Sequence, residues 1–217
     1  MTGLAIVGGE APEAEVCRYL AKKANMVAAA DSGLITAENA GIVPDWIIGD
    51  MDSLDDPRRL QKYPAETVKC FSHDKDFTDT ELALGLLREK GCDEVWIAGG
   101  GGGRLDHLLA LFFLFERKKF PARWVTLFDD IYCLGESGEL KMILPEKTTV
   151  SVLPLGPGGG EAESCGLKWN LNGLIWEKGS FGISNRTEDR DFSIRVKKGR
   201  FMVIVPLSVS RAGFIHE

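Results

Sequence analysis

The sequence lacks the features of disulfide-rich, zinc-binding and exported proteins. Its five cysteines are odd in number and form no Cys-x-x-Cys pair, which argues against both a disulfide framework and a zinc site. A reducing compartment, the cytoplasm, is therefore the expected location. The N-terminus has neither a basic segment nor a long apolar run, so we expect no export signal.

Long apolar runs and an excess of basic residues are also missing. Leu105–Phe115 is the most apolar stretch, but it has only about half the length that a bilayer span needs, so we predict a buried helix there and no membrane insertion. The formal net charge of -6 argues against a general binder of nucleic acid or of anionic membranes. An anionic substrate would therefore need a metal ion.

The hydrophobic pattern changes along the chain and predicts an α/β protein with two domains. Up to about residue 130, short apolar runs alternate with amphipathic stretches, which predicts βαβ units and a Rossmann-like parallel sheet. After about residue 135 the apolar residues recur with a period of two, which predicts a smaller all-β sandwich. Placing the boundary at Gly135–Gly138 gives a nucleotide- and metal-binding domain of residues 1–135 and a β domain of residues 136–217.

Aspartates follow two of the predicted strands. Asp31 comes directly after the apolar run 27–30, and Asp50 and Asp52 follow the run 46–49. Ligands of open α/β sheets bind at the carboxyl ends of the strands, so we expect these acids to lie in a binding crevice.

A further aspartate opens a predicted helix. Thr78 and Glu81 have the spacing of a capping box, which places Asp79 in the first helical turn. Carboxylates are the ligands that Mg²⁺ prefers, so Asp50, Asp52 and Asp79 form a candidate magnesium site. The alternative interpretation is a set of solvated loop acids and helix caps.

A glycine loop precedes the apolar helix. Gly99–Gly103 and Arg104 offer backbone amides, a helix N-terminus and a guanidinium group to a phosphate. The loop lacks the ending of a Walker A motif, and Arg104 replaces the last glycine of a dinucleotide fingerprint, so we predict a phosphate loop of another kind. Asp106 and His107 follow; either could contact a nucleotide or be structural.

One other enzyme class has a related signature. Trp46–Leu54 loosely resembles the strand and Asp-x-Asp motif of haloacid-dehalogenase-type phosphatases, in which the first Asp is a nucleophile. That signature continues with Gly-Thr and opens its domain, whereas Ser53 and Leu54 follow here after two α/β units. We disfavour this interpretation.

Six motifs in order resemble the thiamine pyrophosphokinase family over nearly the whole chain. They are Ala30–Gly33, Pro44–Asp45 with Gly49–Ser53, Lys75–Asp79, Gly102–His107, Gly166–Trp169 and Ser184–Asn185. The resemblance implies transfer of pyrophosphate from ATP to thiamine with Mg²⁺. It also implies a homodimer whose active sites lie between subunits.

The resemblance implies roles for individual residues. Magnesium would be held by Asp50, Asp52 and Asp79, and Asp31 would complete the catalytic acids near the thiamine hydroxyl. The nucleotide would be bound by Gly102, Gly103, Arg104, Asp106, His107, Lys75 and Asp76. Thiamine would also meet Trp169, Ser184 and Asn185, which would come from the partner subunit.

Some details stay open at this point. The alternation of Leu167, Trp169 and Leu171 equally fits a core tryptophan in a strand. Leu108, Leu111 and Ile183 depart from the family's usual polar residues. The general base is Asp31 or Asp52, and the alternative functions are a pterin-alcohol pyrophosphokinase and a noncatalytic nucleotide-binding regulator.

Overall fold

The computed structural model describes residues 1–210, so the last residues of the predicted domain 136–217 lie outside the described residues. The chain divides into two units, each described by itself below. The first consists of Met1–Phe112 and Trp124–Leu127, and the second of Phe113–Arg123 and the residues from Phe128 onward.

Six strands and four helices precede the β-rich part, together with two short 3-10 segments, Pro57–Lys62 and Ala65–Thr67. The elements are, in chain order, β1 (Thr2–Ile6), α1 (Ala14–Lys23), β2 (Met26–Ala30), α2 (Gly33–Asn39), β3 (Trp46–Gly49), β4 (Val68–Cys70), α3 (Asp79–Glu89), β5 (Glu94–Ala98), α4 (Leu105–Leu114) and β6 (Arg123–Val125).

The first unit is built on a parallel sheet in which β5, β1, β2, β3 and β4 are neighbours in that order. Leu4, Ala5 and Ile6 of β1 are completely buried, as are Ala28 and Ala29 of β2. Strands covered on both faces read as continuous apolar runs, which explains why the sequence shows no alternation here. The predicted Rossmann-like sheet is confirmed.

The strand order creates a crevice at the end of β1. After β1 the chain adds β2, β3 and β4 on one side and then places β5 on the other side of β1. Loops that leave neighbouring strands in opposite directions open a binding crevice at the carboxyl ends of those strands. The glycine loop that follows β5 lies at this point, and its Gly100 N–H donates to Gly8 O, 2.8 Å away, in the turn after β1.

Up to residue 210, where the described part of the chain ends, the strand pairs of the second unit are antiparallel. Its elements are β7 (Asp129–Leu134), β8 (Glu139–Ile143), β9 (Thr149–Leu155), β10 (Glu161–Cys165), β11 (Gly182–Arg186), β12 (Asp191–Lys198), β13 (Arg200–Pro206) and the short helix α5 (Leu207–Ser210). One sheet has the order β11-β9-β13-β7 and the other β10-β12-β8.

The two sheets of this unit share one apolar core, as predicted for a sandwich. Alternate residues of β12, such as Phe192 and Ile194, meet alternate residues of β13, such as Phe201 and Val203, in a buried cluster. Trp176 packs edge-on against Phe201, with ring centroids 5.8 Å apart. The period of two in the sequence therefore reports the inward faces of the two sheets.

The predicted boundary at Gly135–Gly138 differs from the division seen in the structure. β7 ends at Leu134, so that boundary would leave it in the α/β domain. In the structure β7 pairs along its length with β13, from Asp129 opposite Pro206 to Leu134 opposite Phe201. The long-range antiparallel pairing, which no local pattern reveals, assigns β7 to the second unit.

The prediction that Leu105–Phe115 is a buried helix is wrong for one face of α4. Leu105, Leu109 and Phe113 are spaced four residues apart and are 67%, 46% and 60% exposed, whereas Leu111 and Leu114 are buried. The stretch is apolar on every side, but only one side of the helix packs. Among the helices within residues 1–210, none has the length and apolar character needed to cross a bilayer.

A buried ion pair lies inside the second unit. The Arg123 guanidinium donates to both carboxylate oxygens of Asp130, at 2.8 and 2.7 Å, and the Tyr132 hydroxyl donates to the same carboxylate at 2.7 Å. Asp130 is completely buried. Two donors therefore satisfy a carboxylate that water cannot reach.

We expect Asp130→Ala to lower the free energy of unfolding by about 3–5 kcal/mol, because it leaves the Arg123 charge buried without its partner. Tyr132→Phe is the matched control, and its loss of one hydrogen bond should cost only about 1 kcal/mol. Urea unfolding of the purified proteins measures both values. Equal effects of the two substitutions would show that the ion pair does not stabilise this unit.

Candidate active site

Two strand ends place the first acidic residues next to each other. Ala30 of β2 pairs with Ile48 of β3, and the Asp31 N–H donates to Ile48 O at 2.9 Å. Asp31 has a φ of 47°, a left-handed conformation that turns the chain sharply as β2 ends. Asp31 and Asp50 therefore follow neighbouring strands at one edge of the sheet.

Gly49 allows a third acid to join them. It has a φ of 147°, and a Cβ atom added there would lie 3.1 Å from Asp79 Oδ1 and 3.2 Å from Asp31 Cβ. A side chain at this position would push both acids aside. The missing Cβ of Gly49 is thus the reason that Asp31 and Asp79 can approach the strand end that carries Asp50.

The capping box predicted from the sequence is present and orients Asp79. Thr78 Oγ1 accepts from the Glu81 N–H at 3.3 Å, and the Glu81 carboxylate accepts from the Thr78 N–H at 2.8 Å. This reciprocal pair fixes the start of α3. Asp79 is consequently the first residue of the helix, where the helix dipole favours a negative charge.

Lys75 links two of the acids. Its ammonium donates to Asp50 Oδ2 and lies 2.9 Å from Asp79 Oδ1, and its side chain is only 14% exposed. A lysine is thus the positive charge that the protein itself supplies to this cluster. Asp76, which we predicted beside Lys75 in the nucleotide site, is exposed.

The two acids beside Lys75 have pKa values shifted in opposite directions. The hydrogen bond from Lys75 lowers the pKa of Asp50 to about 2. Burial raises the pKa of Asp79, and the nearby charges of Asp50 and Asp31 add to that rise although Lys75 opposes it. Burial alone would lower the pKa of Lys75, but its bonds to the two acids raise it. Three carboxylates with one ammonium leave the cluster short of positive charge.

Two buried carboxylate oxygens make no hydrogen bond within the described residues. They are Asp31 Oδ1 and Asp79 Oδ1. The contact of Asp79 Oδ1 with Lys75 has the distance of an ion pair but not the angles of a hydrogen bond. Buried acceptors without donors are rare, and a bound cation is one way to satisfy them. Carboxylate oxygens of this kind are suitable ligands for a divalent ion such as Mg²⁺.

Asp52 faces a residue that we did not predict from the sequence. His73 Nδ1 lies 3.3 Å from Asp50 Oδ2 and 3.3 Å from Asp52 Oδ2. Within residues 1–210, Asp50, Asp52 and His73 form the group whose ligand atoms lie within 4.8 Å of one another, and Asp79 is not in it. The predicted set of Asp50, Asp52 and Asp79 is therefore split: Asp79 contacts Asp50 through Lys75. The available signal was the position of His73 in the same loop as Lys75.

The chain between Asp50 and Asp52 is not extended but turns at Met51. Met51 has a φ of 64° and is buried with Ile47 and Leu54 in an apolar cluster. Its side chain holds the loop onto the core, so the strained backbone is fixed by packing. Both acids reach His73 through this turn.

The glycine loop has the form expected of a phosphate-binding loop. The N–H groups of Gly99, Gly100 and Gly101 donate to backbone oxygens, which fixes the first half of the loop. Gly102 and Gly103 have φ values of 63° and 66°, and within the described residues their N–H groups make no hydrogen bond. Two N–H groups that are free of hydrogen bonds within the described residues and precede a ten-residue helix can donate to a bound anion.

The charged residues after this loop contact one another. Arg104 donates to both carboxylate oxygens of Asp106, at 3.1 and 2.6 Å, and this bond lowers the pKa of Asp106. Both side chains are well exposed. The His107 N–H donates to Asp106 Oδ1 at 3.1 Å, and its ring is exposed. Arg104 would have to break its hydrogen bonds to Asp106 before all of its N–H groups could donate to a phosphate.

Trp169 in the second unit is exposed, so the core-strand alternative is wrong. It lies in an irregular loop after β10 and is 54% exposed, whereas Trp176 is the buried tryptophan. Lys168 Nζ lies 4.6 Å and the Arg186 guanidinium carbon 5.8 Å from the centre of the Trp169 ring. The ring is therefore available to ligands and already attracts cations.

Asn185 holds the backbone of Trp169. Its side chain accepts from the Trp169 N–H at 3.1 Å and donates to Trp169 O at 2.7 Å, and Asn185 is 6% exposed. Ser184 beside it is exposed and has a φ of 59° where the pairing of β11 with β9 is irregular. Asn185 thus positions the aromatic ring, while Ser184 offers its hydroxyl to the surface.

Two family profiles match consecutive parts of this chain. Residues 17–126 match "Thiamin pyrophosphokinase, catalytic domain", and residues 139–201 match "Thiamin pyrophosphokinase, vitamin B1 binding domain". The acids and the glycine loop lie within the first match, and Trp169 and Asn185 lie within the second. The first match includes the Asp50–Asp52 segment, which removes the dehalogenase-type interpretation.

Individual relatives agree with the profiles. Thiamine pyrophosphokinase of Bacillus subtilis is 41% identical over 181 residues, which cover 80% of this chain and 84% of that protein. A crystal structure of thiamine pyrophosphokinase from Bacillus subtilis superimposes with a TM-score of 0.76 at 27% identity, covering 95% and 99% of the two chains. A family member from Enterococcus faecalis has the same fold, with a TM-score of 0.75 at 24% identity over 95% and 99%.

Lys75→Met should lower the free energy of unfolding near neutral pH by about 1–3 kcal/mol, because it leaves Asp50 and Asp79 to repel each other. The lowered pKa of Asp50 means that the Lys75 bond stabilises the fold above the ordinary pKa of 3.8 and is lost as the pH falls toward about 2. The difference between variant and parent should therefore shrink over that range in urea unfolding.

Lys62→Met is the matched control for this substitution. Lys62 is 65% exposed and pairs with Glu38 at 3.4 Å, so its loss should change stability little at any pH. A deficit of Lys75→Met that stays constant as the carboxylates become protonated would contradict the proposed pairing.

Proposed function

Because the chain belongs to the thiamin pyrophosphokinase family, we propose that it transfers the pyrophosphoryl group of ATP to the hydroxyl of thiamine, forming thiamine diphosphate and AMP. The observation that carries this proposal is the convergence of Asp31, Asp50 and Asp79 inside the part that matches the catalytic domain. A site with more carboxylates than ammonium groups suits a nucleotide that carries a bound metal ion.

The reaction exchanges one oxygen for another at phosphorus. The thiamine hydroxyl oxygen forms a bond to the β-phosphorus of ATP, the bond from that phosphorus to the α,β-bridging oxygen breaks, and AMP leaves with the electron pair. The hydroxyl proton passes to a carboxylate or to water. Such transfers depend on positioning and on charge neutralisation more than on a strong base.

We assign Asp50, Asp52 and Asp79 to the magnesium ion that the family implies. Their oxygen donors fit that ion, and Asp79 Oδ1, which makes no hydrogen bond within the described residues, is a further argument for it. Magnesium bound by these acids would supply positive charge that neutralises the phosphate groups of the nucleotide. Lys75, which contacts two of these acids, is the residue that can turn toward a phosphate once another cation is present.

The glycine loop is the proposed nucleotide site. The unpaired amides of Gly102 and Gly103 and the guanidinium of Arg104 are the anion-binding groups. Asp106 bonds Arg104 beside this loop, and the exposed residues His107 and Asp76 are the further proposed contacts of the nucleotide. The arrangement supports phosphate binding without a Walker A lysine.

Asp31 is the better supported of the two candidate bases. Its Oδ1 is buried and makes no hydrogen bond within the described residues, so it can accept the proton of a substrate hydroxyl. Asp52 is 53% exposed and faces His73, and it remains the alternative. A carboxylate of ordinary basicity is sufficient for this chemistry.

Trp169, Asn185 and Ser184 are the proposed thiamine residues of the second unit. The exposed indole suits a flat pyrimidine and a cationic thiazolium, since it already attracts Lys168. Asn185 contributes by holding the indole in place, and Ser184 can hydrogen-bond the aminopyrimidine edge.

We further propose a homodimer with active sites between subunits and a cytoplasmic location. Leu105, Leu109 and Phe113 give α4 an exposed apolar face that a second copy of the chain would cover. The five cysteines are free thiols, which agrees with a reducing compartment. The match to a vitamin B1 binding domain argues against the pterin alcohol as acceptor.

The proposal predicts that AMP forms from ATP only when thiamine and Mg²⁺ are both present, which chromatography of the nucleotides measures. Asp50→Asn should lower kcat by about a hundredfold or more while the protein stays folded, because it weakens a metal ligand. Asp93→Asn, at an acid that is 94% exposed and pairs with the N-terminus, is the control. ADP as the nucleotide product, or AMP formation without thiamine, would exclude a pyrophosphokinase and leave the regulator or another transferase.

The intersubunit site can be tested by mixing two variants. Trp169→Ala alone should raise the thiamine KM roughly tenfold. Each site is proposed to take Asp50 from one subunit and Trp169 from the other. Subunit exchange between equal amounts of Asp50→Asn and Trp169→Ala should then leave about a quarter of all sites with both residues intact. Activity at low thiamine that does not rise above the sum of the separate variants would place each site within one chain.

A further inference from the structure

His73 is a potential metal ligand that none of the family-derived assignments includes. We propose that His73 is a further protein ligand of the ion that Asp50 and Asp52 help to hold, and that it makes the site favour a divalent transition-metal ion such as Mn²⁺ over Mg²⁺. This inference rests on the proposed function only in assuming that the two acids bind a metal.

The distances between the three side chains suit one octahedral ion. Ligands about 2.1 Å from a metal lie about 3.0 Å apart when they occupy neighbouring octahedral positions. His73 Nδ1 lies 3.3 Å from an oxygen of Asp50 and 3.3 Å from an oxygen of Asp52. Small side-chain movements would therefore bring all three atoms onto one face of the ion, with three positions left for Asp79, water and phosphate.

The fold brings His73 to this place. β4 pairs with β3 so that Cys70 lies beside Gly49, and the Phe71 N–H extends this pairing by donating to Gly49 O at 2.9 Å. The loop that follows β4 therefore begins next to Asp50. The Lys75 N–H donates to His73 O at 3.1 Å, which stabilises the turn that carries the imidazole.

The donor set differs from the one that magnesium prefers. Mg²⁺ binds oxygen ligands almost exclusively, whereas imidazole nitrogen is a common ligand of first-row transition metals. Two carboxylates and one imidazole have the mixed character that Mn²⁺ and Co²⁺ accept. Replacing the imidazole should consequently weaken the binding of Mn²⁺ much more than the binding of Mg²⁺.

The alternative role of His73 is an ion pair with the two acids and no metal. His73 is 79% exposed, so a surface pair of this kind would contribute little to stability. Lys75 already contacts the same oxygen of Asp50 and supplies it with a positive charge. The two roles differ in one observable, which is a bond between the imidazole nitrogen and a bound metal.

The test uses the full-length protein with Mn²⁺ alone and no nucleotide. Electron spin echo envelope modulation should show coupling of a histidine nitrogen to Mn²⁺ in the parent protein, and His73→Ala should abolish it. The Kd for Mn²⁺, from the loss of the free-ion EPR signal, should rise about tenfold or more in this variant, since even the loss of outer-shell partners has effects of that size. The Kd for Mg²⁺, from competition with Mn²⁺ or calorimetry, should change much less.

His107→Ala is the matched control because it removes another exposed histidine of the first unit, and it should keep the nitrogen coupling. The inference is wrong if the parent shows no nitrogen coupling, if the coupling survives in His73→Ala, or if both metals weaken equally. AMP formation that persists alongside any of these results would leave the proposed function standing. Nitrogen coupling that depends on His73 in a protein that forms no AMP would support the metal site and reject the function.

Discussion

The close approach of three aspartates around Gly49 is the constraint on which the rest of the site depends. Asp31, Asp50 and Asp79 come from two strand ends and one helix start, and a Cβ atom at Gly49 would crowd Asp79 Oδ1 and Asp31 Cβ at 3.1 and 3.2 Å. Carboxylates at such distances repel one another, and burial increases that repulsion. Burial raises the pKa of Asp79, and the charges of Asp50 and Asp31 add to that rise, whereas the hydrogen bond from Lys75 lowers the pKa of Asp50.

This repulsion is reduced by the ammonium group of Lys75, while packing and backbone hydrogen bonds keep the three acids in place. Lys75 is a flexible side chain that contacts two of the acids, whereas the backbone around them is held by packing and hydrogen bonds. Beyond Asp52 the loop is fastened by Arg59, which pairs with Glu38 of α2 and with Asp55. A rigid frame with one exchangeable positive charge is suited to a site that must release and take up cations with each substrate.

Features that are set by neighbouring residues could be predicted from the sequence, whereas features that depend on distant residues could not. The capping box at Thr78 and the buried runs of β1 and β2 depend on neighbouring residues, and both were predicted correctly. The exposure of Trp169 and the pairing of β7 with β13 depend on residues distant in sequence; the local pattern left the exposure of Trp169 open and did not indicate the pairing of β7. Six ordered motifs identified the family because they sample the whole chain. His73 was missed because histidine in a loop has no pattern of its own.

The second unit orders its binding residues in a different way. It uses neutral hydrogen bonds: the buried amide of Asn185 satisfies both backbone groups of Trp169, which lies in a loop without strand partners. Trp176 is the tryptophan of the buried core, where it packs against Phe201. The exposed ring of Trp169 is carried by a main chain that Asn185 already orders, so a ligand that contacts this ring would not have to order the main chain first.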